Sequence, residues 1–189
     1  MDNMPLLKSI LALDLRLSSQ IRIAERPGPL RSIAIFFAHS GDSWFWGLAL
    51  IILWFTGADA WKDWALIQLA SISLLVAVVL VIKFSIRRRR PQGEWGGIYR
   101  NTDPHSFPSG HAARAFLIAA LASGLGPPWL AVILWIWAPL VSLARVAMGV
   151  HYLSDIAAGA LLGSVMGIIC FEFSSWMVTA LGGLIQLIR

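Results

Sequence analysis

Residues 64–82 read WALIQLASISLLVAVVLVI, nineteen consecutive positions without an ionisable side chain. At the rise of an α-helix they cover about 28 Å, close to the thickness of a bilayer's hydrocarbon core. The run ends at Lys83 and then at Arg87-Arg88-Arg89-Arg90-Pro91, a basic cluster of the kind found at a membrane edge. Working outward, apolar segments recur at residues 30–38, 43–55, 110–125, 129–150 and 153–177, with a tail to Arg189 that continues the last helix. The 189-residue chain is 58% hydrophobic and only 13% charged, with a mean hydropathy of +0.72, well above soluble composition. The fold expected is all-α: a polytopic membrane helical bundle of five to six transmembrane helices. It forms one domain over residues 1–189, without repeats or linkers.

Residues 1–28 read differently. Leu6, Ile10, Leu13 and Leu17 recur at helical spacing, but Lys8, Asp14, Arg16 and Arg22 interrupt them. A cleavable signal peptide needs an unbroken apolar core, so an amphipathic helix in the membrane interface is expected instead. Arg26-Pro27-Gly28-Pro29 breaks it. The single cysteine, Cys170, reads as a small packing residue. The net charge of +5 sits beside apolar spans rather than in a basic domain, so the partners expected are membrane lipids and not nucleic acid. Trp44, Trp46, Trp61, Trp64, Trp95, Trp129 and Trp176 fall near span ends, where aromatic belts sit. Trp135 and Trp137 lie mid-span as packing residues, and Pro139 should kink their helix. Gly159, Gly163 and Gly167 share one helix face and allow close packing.

Ionisable groups at membrane depth are costly and are usually kept for function. Three groups of them stand at span ends. Lys83 and Arg90 are two helical turns apart and should project from one face, with Arg87 beside them and Arg88 and Arg89 pointing away. Pro91 then ends the helix. Pro108-Ser109-Gly110-His111 opens the next span. Ser109 can cap its free N–H groups, Gly110 lets an anion approach the backbone, and His111 can give a proton to a leaving oxygen. Arg145, His151 and Asp155 flank the last connection. His151 and Asp155, at i and i+4, should stack on one helix face, where the carboxylate orients the imidazole as a nucleophile. Counting crossings brings all three groups to the same membrane face.

Lys83-x6-Arg90-Pro91, Pro108-Ser109-Gly110-His111 and Arg145-x5-His151-x3-Asp155 together resemble the tripartite signature of the type 2 phosphatidic acid phosphatase superfamily. The signature spans residues 83–155. The resemblance implies that His151, oriented by Asp155, attacks phosphorus and forms a phosphohistidine. His111 protonates the departing group, and water then hydrolyses the phosphoenzyme. It further implies that Lys83, Arg90, Ser109, Gly110 and Arg145 bind the phosphate, with no metal and no cofactor. The substrate implied is a lipid phosphate: polyprenyl (undecaprenyl) diphosphate, phosphatidylglycerophosphate or phosphatidic acid, with a polyprenyl-linked lipid preferred. A non-catalytic lipid-phosphate binding or transport protein is the alternative, although it would not need the histidines. One departure stands out. The third motif usually begins Ser-Arg, and here Ala144 precedes Arg145, so Ser142 is the candidate to replace that hydroxyl.

Arg87, Arg114, Ser142 and His105 are further candidate phosphate ligands. Asp103 could contact a headgroup, and His39 and Asp42 could line the entrance. The protein is expected in a bacterial inner membrane. The positive-inside rule favours a cytoplasmic site, because Arg87, Arg88, Arg89 and Arg100 share the motif face while Lys62 stands alone opposite.

Overall fold

The computed structural model describes residues 5–93, 95 and 97–188. Its helices are α1 (Pro5–Ile21), α2 (Pro29–Ser40), α3 (Ser43–Thr56), α4 (Asp59–Ile86), α5 (Gly97–Thr102), α6 (Gly110–Leu125), α7 (Pro128–Ala147), α8 (Leu153–Glu172) and α9 (Ser174–Ile188). Residues 1–4 of the expected amphipathic segment, and Arg189 of the tail, lie outside the described residues.

The bundle is organised around α6. Its Ala112, Ala113, Ala115, Ala119 and Ala122 are fully buried, as are Leu117, Ile118 and Leu121. With so many small side chains it admits neighbours on several faces. Helix α8 comes closest, through the glycine face read from the sequence. A Cβ at Gly159 would stand 2.6 Å from the Ser109 carbonyl oxygen, and one at Gly163 would run into the Ala113 carbonyl. At Gly167 it would stand 3.1 Å from the Leu117 carbonyl. The three glycines therefore ride on one row of α6 backbone, and no larger residue fits without parting the helices. Leu134, Ala138 and Val141 of α7 pack on α6, as do Ile67, Leu75 and Val79 of α4.

Helices α4, α7 and α8 are long and apolar enough to cross a bilayer, and α2 with α3, bent by 54° at residues 41–42, makes a fourth candidate. Helix α6, at 16 residues, is shorter, so fewer helices meet the length test than the five to six expected. Val81, Val132, Ile136, Leu161 and Ile168 stand exposed on the outside. This is the surface of an integral membrane protein, for which lipid is the solvent.

Several local expectations are corrected. Helix α4 stops at Ile86, not Pro91, because Arg87 takes a left-handed conformation (φ 53°) and returns its N–H to the Lys83 carbonyl. Between the basic cluster and α6 the chain forms α5, α7 ends at Ala147 rather than at residue 150, and Phe173 divides the last span into α8 and α9. Trp64 is not in an interfacial belt; it is buried beside Leu50 and Ala65. In α1 the apolar side chains Ile10, Leu13 and Leu17 face outward, while Asp14 and Ser18 are buried. Helix α1 therefore holds the protein by its polar stripe and offers its apolar stripe to lipid.

Candidate active site

The three motifs converge on one cavity of about 190 Å³, lined by Lys83, Arg90, Asp103, Gly110, His111, Arg114, Arg145 and His151, with Leu75, Val76, Val79 and Leu80 forming an apolar wall. Small-molecule pockets usually measure roughly 300–1,000 Å³, so this one takes a headgroup-sized portion of a ligand. Val76 and Leu80 are also exposed on the outer surface of α4, so the cavity wall is continuous with the lipid-facing side.

The placement of each polar group follows from local folding. His151 is 2% exposed and precedes α8 rather than riding on it, which corrects the expected helix stacking. Asp155 lies in the first turn of α8, where its carboxylate accepts the Tyr152 N–H at 2.9 Å and lies 3.4 Å from His151 Nδ1. The second ring nitrogen, Nε2, lies 3.1 Å from Arg90 Nη1. Arginine can only donate, so Nε2 carries the lone pair and Nδ1 carries the proton that faces Asp155. Burial pushes the His151 pKa down to about 4, leaving a neutral imidazole with its basic nitrogen among cations. Arg90 also donates to the Val150 carbonyl at 2.9 Å. A backbone bond from Ser109 N–H to the Asp155 carbonyl, 3.0 Å, ties the second motif to the third.

Ser109 caps α6, its hydroxyl accepting the Ala112 N–H at 3.4 Å. Gly110 lines the cavity, and the nearest atom to a Cβ built there is a Val79 methyl at 3.7 Å. The site would thus tolerate a side chain until a ligand arrives. Arg145 is fully buried in the last turn of α7. The Asp103 carboxylate bridges two motif cations, pairing with Lys83 and with Arg90 at 2.7 Å. Burial alone would raise the Asp103 pKa, but Lys83 and Arg90 outweigh it and hold the carboxyl below its ordinary value.

Other candidates fall elsewhere. Arg87 is exposed and bonds back to the Phe84 carbonyl at 2.8 Å, outside the cavity. Arg88, expected to point away, is the inward one. It donates to Asp155 at 2.7 Å, to Ser154 at 2.6 Å and to Asp14 of α1 at 2.7 Å. The helical wheel misassigned both because α4 ends before them. Ser142 returns its hydroxyl to the Ala138 carbonyl at 2.8 Å and does not line the cavity. Ala144 packs with Ala34, Ala38 and Met148, away from the cavity wall. His105 packs edge-to-face against Phe84 and contributes its carbonyl to Lys83 at 3.1 Å. Arg114 reaches the cavity, but its guanidinium holds the Gly41 carbonyl and the Ser43 hydroxyl. Asp42 sets its carboxylate against His111, 2.8 Å from Nε2. Asp14, Arg88 and Ser154 are the supports that spacing alone did not reveal.

A family model described as the PAP2 superfamily matches residues 64–178. The chain is 34% identical over 158 residues to decaprenylphosphoryl-5-phosphoribose phosphatase of Mycobacterium tuberculosis, covering 79% of this chain and 83% of that protein. The crystal structure of LpxE from Aquifex aeolicus superimposes with a TM-score of 0.68 at 29% identity, covering 85% of this chain and 95% of that one. A transmembrane PAP2-type phosphatidylglycerolphosphate phosphatase from Bacillus subtilis shares the fold, with a TM-score of 0.74 at 24% identity over 88% of this chain and 87% of that one.

Proposed function

The chain belongs to the PAP2 superfamily, and from that premise we propose that it is a membrane phosphatase removing the terminal phosphate of a lipid phosphate or diphosphate through a phosphohistidine on His151. One observation carries the reading: buried, neutral His151 presents Nε2 to a cavity ringed by Lys83, Arg90 and Arg145, with Asp155 behind Nδ1. As Nε2 bonds to phosphorus, the bond to the leaving oxygen breaks, and that oxygen takes a proton from His111. Water, giving its proton back to His111, then attacks phosphorus. The P–N electron pair returns to His151, and phosphate leaves. The three cations and the N–H groups at the start of α6 hold the nonbridging oxygens, so catalysis is positioning and charge stabilisation without a metal.

The small polar cavity beside an apolar outer wall supports a phosphate headgroup with its hydrocarbon left in the bilayer. The similarity to an enzyme named for a decaprenylphosphoryl sugar phosphate favours a polyprenyl-linked substrate. Purified protein in EDTA is expected to release phosphate from such lipids, and from phosphatidic acid or phosphatidylglycerophosphate more slowly. His111→Ala is expected to release little. Binding of lipid without phosphate release in the wild type would favour the binding or transport reading.

The exposed Arg87 and Arg89 at the site end, against Lys62 at the other, favour a site on the cytoplasmic face of a bacterial inner membrane by the positive-inside rule. In a Cys170→Ala background, Lys62→Cys should then react with an impermeant maleimide added to whole cells. Protection there, with labelling at the site end, would reverse the orientation.

A further inference from the structure

The break between α2 and α3 is built rather than frayed. The Ser40 carbonyl accepts Trp46 Nε1 at 3.0 Å, and the Ser40 hydroxyl accepts Trp137 Nε1 at 2.9 Å. Gly41 is pressed so close that a Cβ would stand 2.7 Å from Val141 and 3.3 Å from the His111 ring. Arg114, one turn beyond His111 on α6, clamps the Gly41 carbonyl and the Ser43 hydroxyl. The residue between those two anchors is Asp42. Its Oδ1 lies 2.8 Å from His111 Nε2, and its Oδ2 lies 3.0 Å from His39 Nδ1. Buried Arg114 thus uses its guanidinium to fix the backbone on either side of one carboxylate, whose Oδ1 is aimed at His111.

We propose that Asp42, presented by the α2–α3 break and locked there by Arg114, is the positioning residue of the proton donor His111, so that the site contains two histidine–aspartate pairs. The proposal rests on His111 being the donor, as the proposed function has it. A carboxylate only accepts, so Nε2 of His111 keeps its hydrogen in every protonation state, and the proton that moves is carried on Nδ1. When the P–O bond breaks, its electron pair stays on the leaving oxygen and the Nδ1 proton goes to that oxygen. Neutral His111 remains as the Nε2–H tautomer, still held by Asp42 and ready to take a proton from the incoming water. Asp155 does the equivalent for His151 through Nδ1, leaving Nε2 for phosphorus. The two imidazoles are held by opposite ring nitrogens, one as nucleophile and one as acid.

The test compares leaving groups. An alkyl phosphate needs a proton on its departing oxygen, whereas nitrophenyl phosphate departs without one. General acids contribute about 100-fold or more, so Asp42→Asn should lower kcat/KM, which reports phosphorylation of His151 and not the later hydrolysis, on a soluble alkyl or prenyl phosphate by about 10- to 100-fold. The kcat/KM for nitrophenyl phosphate should stay within about threefold, and Asp42→Glu should recover most of the alkyl kcat/KM. His111→Ala should show the same selectivity more strongly. Selective loss in His111→Ala but equal or no loss in Asp42→Asn would overturn the role of Asp42 and leave His111 as the acid. Loss without selectivity in His111→Ala would remove the acid role itself, and the proposal with it. A measurement on the wild type stands independently of whether the variants fold. The ¹⁵N shifts of His111 should show hydrogen on Nε2 in the neutral ring, and an Nδ1–H tautomer would contradict the pairing.

Discussion

Replacing Arg88 by methionine keeps the length of the side chain and removes its charge, and Arg87→Met does the same one residue earlier. The two variants separate the structure from a helical-wheel reading, which places Arg87 in the site and Arg88 outside it. Arg88 makes three charge-assisted or hydroxyl bonds at 2.6–2.7 Å, and its partner Asp155 is fully buried. Without it, Asp155 keeps the Tyr152 N–H at 2.9 Å and His151 at 3.4 Å. Removing one partner of a buried ion pair costs about 3–5 kcal/mol. Part of that is recovered when water enters beside the carboxylate, because Arg88 is not fully enclosed; its side chain is 18% exposed. Losing the aspartate of a comparable triad outright costs about 10⁴ in rate, and Arg88 acts one bond further away. A loss of about 30- to 100-fold in kcat/KM, or about 2–2.7 kcal/mol, is therefore expected for Arg88→Met. Its melting temperature should also fall, since Asp14 of α1 loses its bond to Arg88 and keeps only those to Ser154. Arg87→Met, which removes only a bond to its own helix, should stay within about twofold of wild type. Phosphate release under subsaturating substrate, with a melt on each variant, measures both. Full activity in Arg88→Met, or a loss in Arg87→Met equal to it, would refute the buttress.

Two further expectations follow from packing and charge. Gly159→Ala must gain about 0.8 Å between its Cβ and the Ser109 carbonyl, the gap between 2.6 Å and ordinary contact at roughly 3.4 Å. That displacement acts on the loop carrying Ser109–His111, so turnover should drop by up to about 100-fold, while Gly47→Ala, with open space around it, should change nothing. His151 has its pKa lowered by burial to about 4, so the neutral, nucleophilic form persists as pH falls through 6 and is lost only as pH falls through about 4. The His151 ¹⁵N shifts in the wild type should therefore still report a neutral ring at pH 5.5, and a charged ring there would contradict its burial.

Much of the site was legible because its chemistry is carried by side chains at span ends. Each of Lys83, Arg90, His111, Arg145 and His151 lies where an apolar run stops, and crossing number alone brings them together. Glycine spacing at 159, 163 and 167 likewise gave away the α6–α8 contact, since helical period and small size are both read from letters. What spacing could not supply was where each helix stops. The left-handed turn at Arg87 exchanges the roles expected for Arg87 and Arg88, and the start of α8 at Leu153 turns an i, i+4 stack into a cap. The long-range supports were hidden for a different reason. Asp14 reaches Arg88 across 74 positions and Asp42 reaches His111 across 69, and no local pattern marks such pairs. The one sign was a carboxylate in an apolar setting, where an ionised group seldom stays without a partner. Ala144, where the family motif carries a serine, packs with Ala34 and Ala38 of α2, a contact that spacing did not show either.

The most direct test of the phosphohistidine route is to trap the intermediate. Purified protein mixed with a ³²P-labelled lipid phosphate, quenched within milliseconds in alkali to preserve phosphohistidine, and mapped by peptide mass spectrometry should carry phosphate on His151. The label should vanish in His151→Ala. Phosphate on any other residue, or undiminished turnover in His151→Ala, would contradict the account.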